Sequence, residues 1–348
     1  GTVKAIEPHF NPTGAKVNCI VVENDGEYEE VEYAPVKPLV DMTKEEILNA
    51  IGEAGVVGMG GAGFPTRVKL SPKEPEKIDY VIANCAECEP YITADYRRMM
   101  ETPELLVGGM KVVLSLFDNA KGIFAVEDNK PDCIAKLKEL VKDEPRMEVM
   151  ALKTKYPQGA ERQLIYATTG RAINSSMLPA DAGCVVDNVE TMINIYQAVV
   201  KGLPSMERIV TVSGDAVNEP GNFKVLFGTN QAELVEAAGG FKGEPKKVIS
   251  GGPMMGFAMF TLDTPVTKTS SSILCLSRDA AAEFEPTACI NCGRCVDACP
   301  SRLIPSRLAD YAEHHDEEQF TKLNGLECVE CGCCSYVCPA KRQLKQSI

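Results

Sequence analysis

The stretch Cys289-Ile290-Asn291-Cys292-Gly293-Arg294-Cys295-Val296-Asp297-Ala298-Cys299-Pro300 is matched in spacing by Cys328-Val329-Glu330-Cys331-Gly332-Cys333-Cys334-Ser335-Tyr336-Val337-Cys338-Pro339. Both read C-x2-C-x2-C-x3-C-P, the spacing of cysteine runs that hold pairs of iron–sulfur cubes. Each tight turn points three thiolates at one cube, and the fourth cysteine reaches across to the other. The expected ligand sets are therefore crossed. Cys289, Cys292, Cys295 and Cys338 hold one [4Fe–4S] cluster; Cys328, Cys331, Cys334 and Cys299 hold the second. Zinc knuckles pair two short C-x2-C steps, whereas three such steps run together here. A disulfide framework suits short secreted chains, and this chain is long. Cys333 lies off the spacing and is expected to be a bystander.

The 348 residues suffice for two or three domains with real cores. Fifteen cysteines, eight of them assigned to clusters, imply a reducing compartment. A net charge of −13 disfavours nucleic acid and leaves room for a protein partner with a basic patch. No stretch approaches the roughly 18 apolar residues of a spanning helix, and no signal peptide is visible. The chain starts at Gly1 without Met, so the natural protein is expected to begin earlier and end later.

Residues 1–34 read as short strands: Val17 to Glu23 is apolar, Asn24-Asp25-Gly26 turns, and Tyr28 to Tyr33 alternates. Ala34 to Pro38 is a proline-marked linker. Thr43 with Glu46 forms a capping box before a helix striped by Ile47, Leu48 and Ile51 and closed by Gly55. Strands at Tyr80–Ala83, Gly122–Val126 and Val149–Lys153 alternate with helices. These begin at Thr102-Pro103 and span Pro131–Val141, Gly159–Ala167 and Val189–Val200. That alternation predicts a layered α/β domain. Beyond Arg208 the texture becomes a small α+β module: strands at Ile209–Ser213, Phe223–Leu226, Val248–Ser250 and Ile273–Leu276 around a helix at Gln231–Ala238. The cysteine-rich segment starts near Ala281.

Gly58-Met59-Gly60-Gly61-Ala62-Gly63 satisfies G-x-G-x-x-G, but that motif must open a helix, and Pro65 stands where helix growth needs backbone N–H groups. The longer run Gly60-Gly61-Ala62-Gly63-Phe64-Pro65-Thr66, with Lys69, resembles the flavin loop of the NADH-binding flavoprotein subunit of respiratory complex I. Three further segments match it in order: Asn84-Cys85-Ala86-Glu87-Cys88-Glu89-Pro90, Tyr156-Pro157-Gln158-Gly159-Ala160-Glu161 and Asn188-Val189-Glu190-Thr191. The Glu87–Asp95 stretch, Gly251-Gly252-Pro253-Met254-Met255-Gly256 and the paired cysteine runs resemble one branch in particular. That branch is the C subunits of Rnf complexes, membrane-bound ferredoxin–NAD oxidoreductases that couple electron transfer to ion pumping.

The resemblance covers essentially the whole chain and implies an α/β multidomain protein. The expected parts are a partial barrel-sandwich domain at 1–38, an FMN- and NAD-binding α/β domain at 39–205, a β-grasp (SLBB-like) module at 206–278 and a helical, ferredoxin-like two-cluster domain at 279–348. It implies that Gly60, Gly61, Gly63 and Lys69 contact FMN and that Asn84, Glu87, Tyr156, Glu161, Asn188 and Thr191 line the flavin site. Phe64 would stack on the NAD adenine and Glu89 would position NAD(H). Ala86 and Ala160 replace acidic residues of the complex I pattern, and Pro72 replaces a second stacking Phe. Implied partners are other subunits of the complex, including integral membrane subunits, with ferredoxin reached indirectly. The implied location is the cytoplasmic face of the membrane, held peripherally. Two other readings share part of this layout: a flavin and iron–sulfur cobalamin reductase, and a non-catalytic ferredoxin-type relay. Cys85 and Cys88 are expected to be buried inert thiols, and His314 and His315 to be exposed.

Overall fold

A computed structural model describes residues 1–33 and 35–348, so Ala34, the first residue of the expected linker, lies outside the described residues. The N-terminal part is one antiparallel ribbon, β1 (Thr2–Phe10) with β2 (Lys16–Glu23). β1 agrees with the strand-like reading of residues 1–34, and it keeps Pro8 because a ribbon with two open edges tolerates a residue that cannot donate. Tyr28–Tyr33 is not a strand. Two strands cannot enclose a core, and Val3, Ile6, Ile20 and Val22 stay exposed. No barrel closes among the described residues.

The helix α1 (Lys44–Glu53) carries the expected capping box: Thr43 Oγ1 accepts from Glu46 N–H, and Glu46 accepts from Thr43 N–H. Ile47 and Ile51 bury its apolar stripe, and Gly55 follows with φ +69°. The single turn α2 (Thr66–Lys69) begins only after Pro65, in keeping with the rejected dinucleotide motif.

The central sheet comprises β3 (Tyr80–Cys85), β4 (Lys121–Glu127), β5 (Met147–Leu152) and β6 (Cys184–Asn188), all parallel in the order β5-β4-β3-β6. Parallel strands need both faces covered. Val81, Ala83, Phe124 and Val185 face a core built with α1, α4 (Pro103–Leu116), α5 (Pro131–Val141) and α7 (Val189–Lys201). Ile82, Ile123, Cys184 and Val186 face α6 (Glu161–Thr169). The chain winds from β3 out to β5 and then returns to β6 on the far side of β3. That reversal opens a crevice at the carboxyl ends of β3 and β6, where α/β sheets bind ligands. α3 (Ala94–Glu101) lies beyond the end of β3.

A second sheet, ordered β10-β9-β11-β7-β8, is formed by β7 (Glu207–Ser213), β8 (Gly221–Leu226), β9 (Lys247–Ser250), β10 (Phe257–Ala258) and β11 (Ser272–Leu276). It packs on α8 (Gln231–Ala237) through Val210, Val212, Leu234, Val235 and Ile273.

The C-terminal segment is a doubled unit. Each half places a residue two after its first cysteine in the left-handed region, Asn291 at φ 56° and Glu330 at φ 52°. Each then turns at a glycine, Gly293 or Gly332, into a short helix, α9 (Arg294–Asp297) or α10 (Cys333–Val337). Helical segments at Pro305–Glu313, Glu317–Lys322 and Leu344–Ser347 complete it. Its apolar core is small: Ala309, Cys334 and Leu344 cluster, and Leu308 is fully buried beside Ala309 in sequence.

Candidate functional site

Of the expected flavin residues, the glycine loop, Lys69, Asn84, Glu161, Asn188 and Thr191 stand about the β3/β6 crevice, whereas Glu87 and Tyr156 line a separate cleft. Asn188 caps α7, its side chain accepting from Glu190 N–H, while its amide donates to Asp95 Oδ2 at 2.7 Å. Gly60 lies directly against it: a Cβ at position 60 would stand 2.8 Å from Asn188 Cβ. Thr191 is fully buried and its hydroxyl accepts from Met59 N–H at 2.9 Å, which ties the glycine loop to the first turn of α7. A Cβ at Gly61 would meet nothing within 4 Å, so the loop backbone is open there. Gly63 adopts φ +70°, and Phe64 beside it is 51% exposed.

Lys69 projects from α2 to the end of β6. Its ammonium donates to Val186 O at 2.8 Å and stands 3.4 Å from Asp187 and 3.9 Å from Glu161, the first residue of α6. Asp187 is the residue that the sequence reading missed. It is buried, neither of its oxygens accepts a well-formed hydrogen bond, and Lys69 is its only cation among the described residues. Burial pushes its carboxyl up to about 6, with Lys69 pulling the other way. An open glycine backbone, a part-buried cation at the end of β6 and a buried carboxylate whose oxygens lack hydrogen bonds make a polar crevice that fits a flat ring carrying a phosphate.

Asn84 works on the backbone: it donates to Gly159 O at 2.8 Å and accepts from Ala86 N–H at 3.2 Å. Glu87 is half-buried and accepts from Asp95 N–H at 2.8 Å and Tyr96 N–H at 3.2 Å, so it caps α3 from a distance. Burial, then the neighbouring Asp95 carboxylate, pushes Glu87 up to about 8. Behind them, Arg98 Nε holds Glu190 at 3.0 Å. The buried Arg208 of β7, also missed from sequence, faces both Glu190 and Asp95 and donates to Met59 O at 3.3 Å and to Lys268 O.

Glu87, Glu89 and Tyr156 line a cleft of about 770 Å3 above β3, β4 and β5, together with Tyr91, Glu127 and Lys130. The glycine loop and Lys69 do not line it; they stand at the adjoining crevice. Glu89 accepts from Met254 N–H at 3.2 Å and Met255 N–H at 2.9 Å. The approach is so close that a Cβ at Gly252 would sit 2.1 Å from Glu89 Oε2 and 2.9 Å from Glu89 Cβ, so a larger residue there would displace the Glu89 side chain. Burial raises the Glu89 carboxyl above its ordinary value. Cys85 is fully buried, and Cys88 Sγ accepts from Gly159 N–H at 3.3 Å. His314 and His315 are exposed.

The cysteine runs lie on one side of this cleft. The Tyr156 hydroxyl donates to Cys331 O at 2.8 Å, and Arg162 and Ser175 both engage Glu327. Cys299 meets Cys328, Cys331 and Cys334 around one small pocket walled by Leu303, Leu308 and Ile348. Backbone N–H groups already point at sulfur: Leu303 at Cys299 (3.3 Å), Glu330 at Cys328 and Asn291 at Cys289 (both 3.4 Å). Such bonds stabilise the thiolate form that binds iron. Cys333 also lines the pocket; burial, then Cys331, pushes its thiol up to about 12. The first run is drawn to the second where Thr287 N–H donates to Ala340 O, and its Cys289 and Cys292 are exposed. Among the described residues, no three His, Cys, Asp or Glu side chains close around a single ion.

These features define a flavoprotein with an appended pair of iron–sulfur centres. Models of three families match in order: the Nuo51 FMN-binding domain over 51–197, the SLBB domain over 209–258 and the 4Fe-4S dicluster domain over 288–341. The chain is 46% identical over 310 residues to the C subunit of the proton-translocating ferredoxin:NAD(+) oxidoreductase complex of Clostridium ljungdahlii, covering 89% of this chain and 68% of that one. It is 44% identical to the C subunit of the Na(+)-translocating complex of Acetobacterium woodii, covering 100% of this chain and 79% of that one. With the C subunit of the ion-translocating oxidoreductase complex of Serratia proteamaculans it shares 37% identity, over 46% of that longer protein. The chain belongs to the C-subunit family of ion-translocating ferredoxin:NAD(+) oxidoreductase complexes. Its fold is also that of a chain in the NAD+-reducing [NiFe]-hydrogenase in the H2-reduced state, with a TM-score of 0.63 at 19% identity, over 90% of this chain and 64% of that one.

Proposed function

We propose that this chain passes electrons between two [4Fe–4S] centres, FMN and NAD(H) as the nucleotide-reacting subunit of a ferredoxin:NAD+ oxidoreductase. Bound FMN would supply the exchange between single-electron and hydride chemistry. The chain's own residues hold, orient and shield. Gly60, Gly61 and Gly63 present backbone to the ring, Lys69 offers its ammonium to the phosphate, and Asn84, Glu161, Asn188 and Thr191 fix the crevice walls. Glu87 and Tyr156 border the ring on the cleft side. Phe64, half exposed at the loop, stacks on the nucleotide, and Glu89 accepts from it. The crossed sets Cys328, Cys331, Cys334, Cys299 and Cys289, Cys292, Cys295, Cys338 hold the centres. Domains at 39–205, 206–278 and 279–348 divide this work, and the three family matches fall inside those bounds.

We place the chain on the cytoplasmic face of the membrane, docked on integral subunits. No helix among the described residues is long and apolar enough to cross a bilayer. The acidic net charge of −13 disfavours direct adsorption on anionic lipid. The observation that carries the functional reading is the junction of the nucleotide cleft with the second cysteine run at Tyr156 and Cys331. Anaerobically reconstituted protein should release FMN on acid treatment, and NADH should bleach the flavin and then reduce the clusters. Flavin-loaded protein that NADH leaves oxidised would overturn the assignment.

A further inference from the structure

Tyr91, Tyr96 and Tyr156 all line the cleft of about 770 Å3. Two of them are committed to protein partners. Tyr96 donates its hydroxyl to Asp132 at 2.6 Å, and Tyr156 donates to Cys331 O at 2.8 Å. Tyr91 differs in exposure and in backbone. It is 57% exposed, and its carbonyl, not its hydroxyl, is what the protein holds. Pro90 and Tyr91 are the central residues of a turn, and Tyr91 sits at φ +70°, where glycine or asparagine is the usual occupant. Between Tyr28 and Asn291 it is the only non-glycine residue in the left-handed region among the described residues. A large side chain in that region is strained and persists only where surrounding contacts hold it. Here the second sheet holds it: Ser213 Oγ donates to Tyr91 O at 2.9 Å, and Thr211 Oγ1 accepts from Thr93 N–H at 3.2 Å. The strain keeps an aromatic ring open at the cleft instead of burying one.

The same cleft carries a cation suited to a diphosphate. The Lys130 side chain is only 11% exposed. Among the described residues its nearest acceptors are Asn129 Oδ1 at 3.4 Å, Glu87 O at 3.5 Å and Glu127 Oε2 at 3.8 Å. All three are longer than a well-formed hydrogen bond, so the ammonium keeps donor capacity for an anion. The glycine loop does not line this cleft. A dinucleotide whose nicotinamide reaches the loop crevice therefore leaves its other ring here.

We propose, resting on the nucleotide reading of the cleft, that Tyr91 is the aromatic plate on which the adenine of NAD(H) stacks, with the diphosphate beside Lys130. Phe64, at the glycine loop and outside the cleft, then meets the nucleotide nearer the flavin. Stacking on an open ring face adds attraction beyond the area it buries.

Calorimetric titration of the full chain, loaded with FMN and both clusters, tests this in wild type, Tyr91→Gly and Tyr91→Phe. The ligands are NAD+ and ADP-ribose, which keeps the adenine and diphosphate but lacks nicotinamide. Tyr91→Gly should weaken both by the same factor, roughly five- to tenfold. Tyr91→Phe keeps the ring and should restore the affinity. Glycine takes φ +70° without steric cost, so Tyr91→Gly should melt no lower than wild type. A clear fall in its Tm, with or without lost affinity, marks a residue kept for structure and overturns the proposal. A loss seen with NAD+ but absent with ADP-ribose overturns it too. Wild type that binds both ligands, with Tyr91→Gly unaffected, brings down this assignment alone. Wild type that binds neither brings down the nucleotide reading itself, and the adenine site with it.

Discussion

Replacing Arg208 by Met removes a buried cation that the β-grasp module inserts beneath the glycine loop. Arg208 is buried and faces Asp95 and Glu190. Arg98 remains on Glu190 at 3.0 Å, but Asp95 keeps only the Asn188 amide as a close partner. Among the described residues no carboxylate lies within ion-pair distance of Arg208; its guanidinium bonds the carbonyls of Met59 and Lys268, and leaving a buried partner of a charged donor unpaired costs roughly 1–3 kcal/mol. With two such carbonyls left, we expect about 3 kcal/mol. At about 2–4 °C per kcal/mol for units of this size, that is a fall in Tm of roughly 6–12 °C. The pH dependence has a definite sign. Burial already holds Asp95 and Glu190 above their ordinary values, and Arg208 opposes this. Without it both rise further, and a carboxyl raised in the folded state gives stability that is lost as pH climbs through the folded value. The deficit should therefore be largest at pH 8 and shrink towards pH 5. Arg208 also donates to Met59 O, next to Gly60, so FMN affinity should fall as well. Thermal unfolding followed by near-UV circular dichroism at three pH values, with flavin fluorescence titration, checks both. A variant melting within about 2 °C of wild type at pH 8, or a deficit that grows in acid, would refute the reasoning.

Cys299→Ser should remove the centre of Cys328, Cys331 and Cys334 and leave its neighbour, so iron should fall from about eight to about four per chain; loss of the other EPR signal instead would refute crossed ligation. Gly61→Val should weaken FMN binding at least tenfold with Tm unchanged, because the position is open. Gly60→Ala should lower Tm as well, because its Cβ meets Asn188 at 2.8 Å; calorimetry and fluorescence separate the pair. Asp187→Asn should melt higher than wild type at pH 8, with the advantage gone by pH 5. The wild-type carboxyl is raised to about 6, so its stabilising contribution present in acid is lost as pH rises through that value.

The α/β alternation was legible because its helices and strands are long and regularly patterned. α5 begins at Pro131 and ends at Val141, as the sequence reading expects. β6 was not, since Cys184–Asn188 is five residues running straight into α7. With β6 unseen, the strand reversal and the buried Asp187 at its end were invisible too. α3 escaped for a different reason: its first N–H groups are capped by Glu87, several residues upstream, so no local cap marks its start. Tyr28–Tyr33 alternates like a strand but has nothing to pair with. Glu89 was legible as a cleft residue from its motif. Its grip on Met254 and Met255 was not, because no periodicity reports contacts so distant in sequence. Arg208 did carry a usable signal: a lone cation at the head of an apolar strand must find buried partners.

The β-grasp module has a physical role that its own small core does not explain. It touches the stretch between Glu87 and Tyr96 repeatedly: Ser213 Oγ donates to Tyr91 O, Thr211 Oγ1 accepts from Thr93 N–H, and Asn222 bonds the Thr93 hydroxyl. Arg208 and Lys268 reach the carbonyls of Met59 and Gly55 on either side of the glycine loop's start. The loop and the acidic stretch are thus held from outside as well as from α7. A cofactor held only by loops would be free to drift, and a displacement of about 1 Å is enough to damage a reacting geometry. The cluster module, whose buried core is small, leans on the same frame through Tyr156, Arg162 and Ser175. The corner where the central sheet, the second sheet and the cysteine runs meet therefore braces both the glycine-loop crevice and the nearer cysteine set, through side chains that no one of these parts supplies alone.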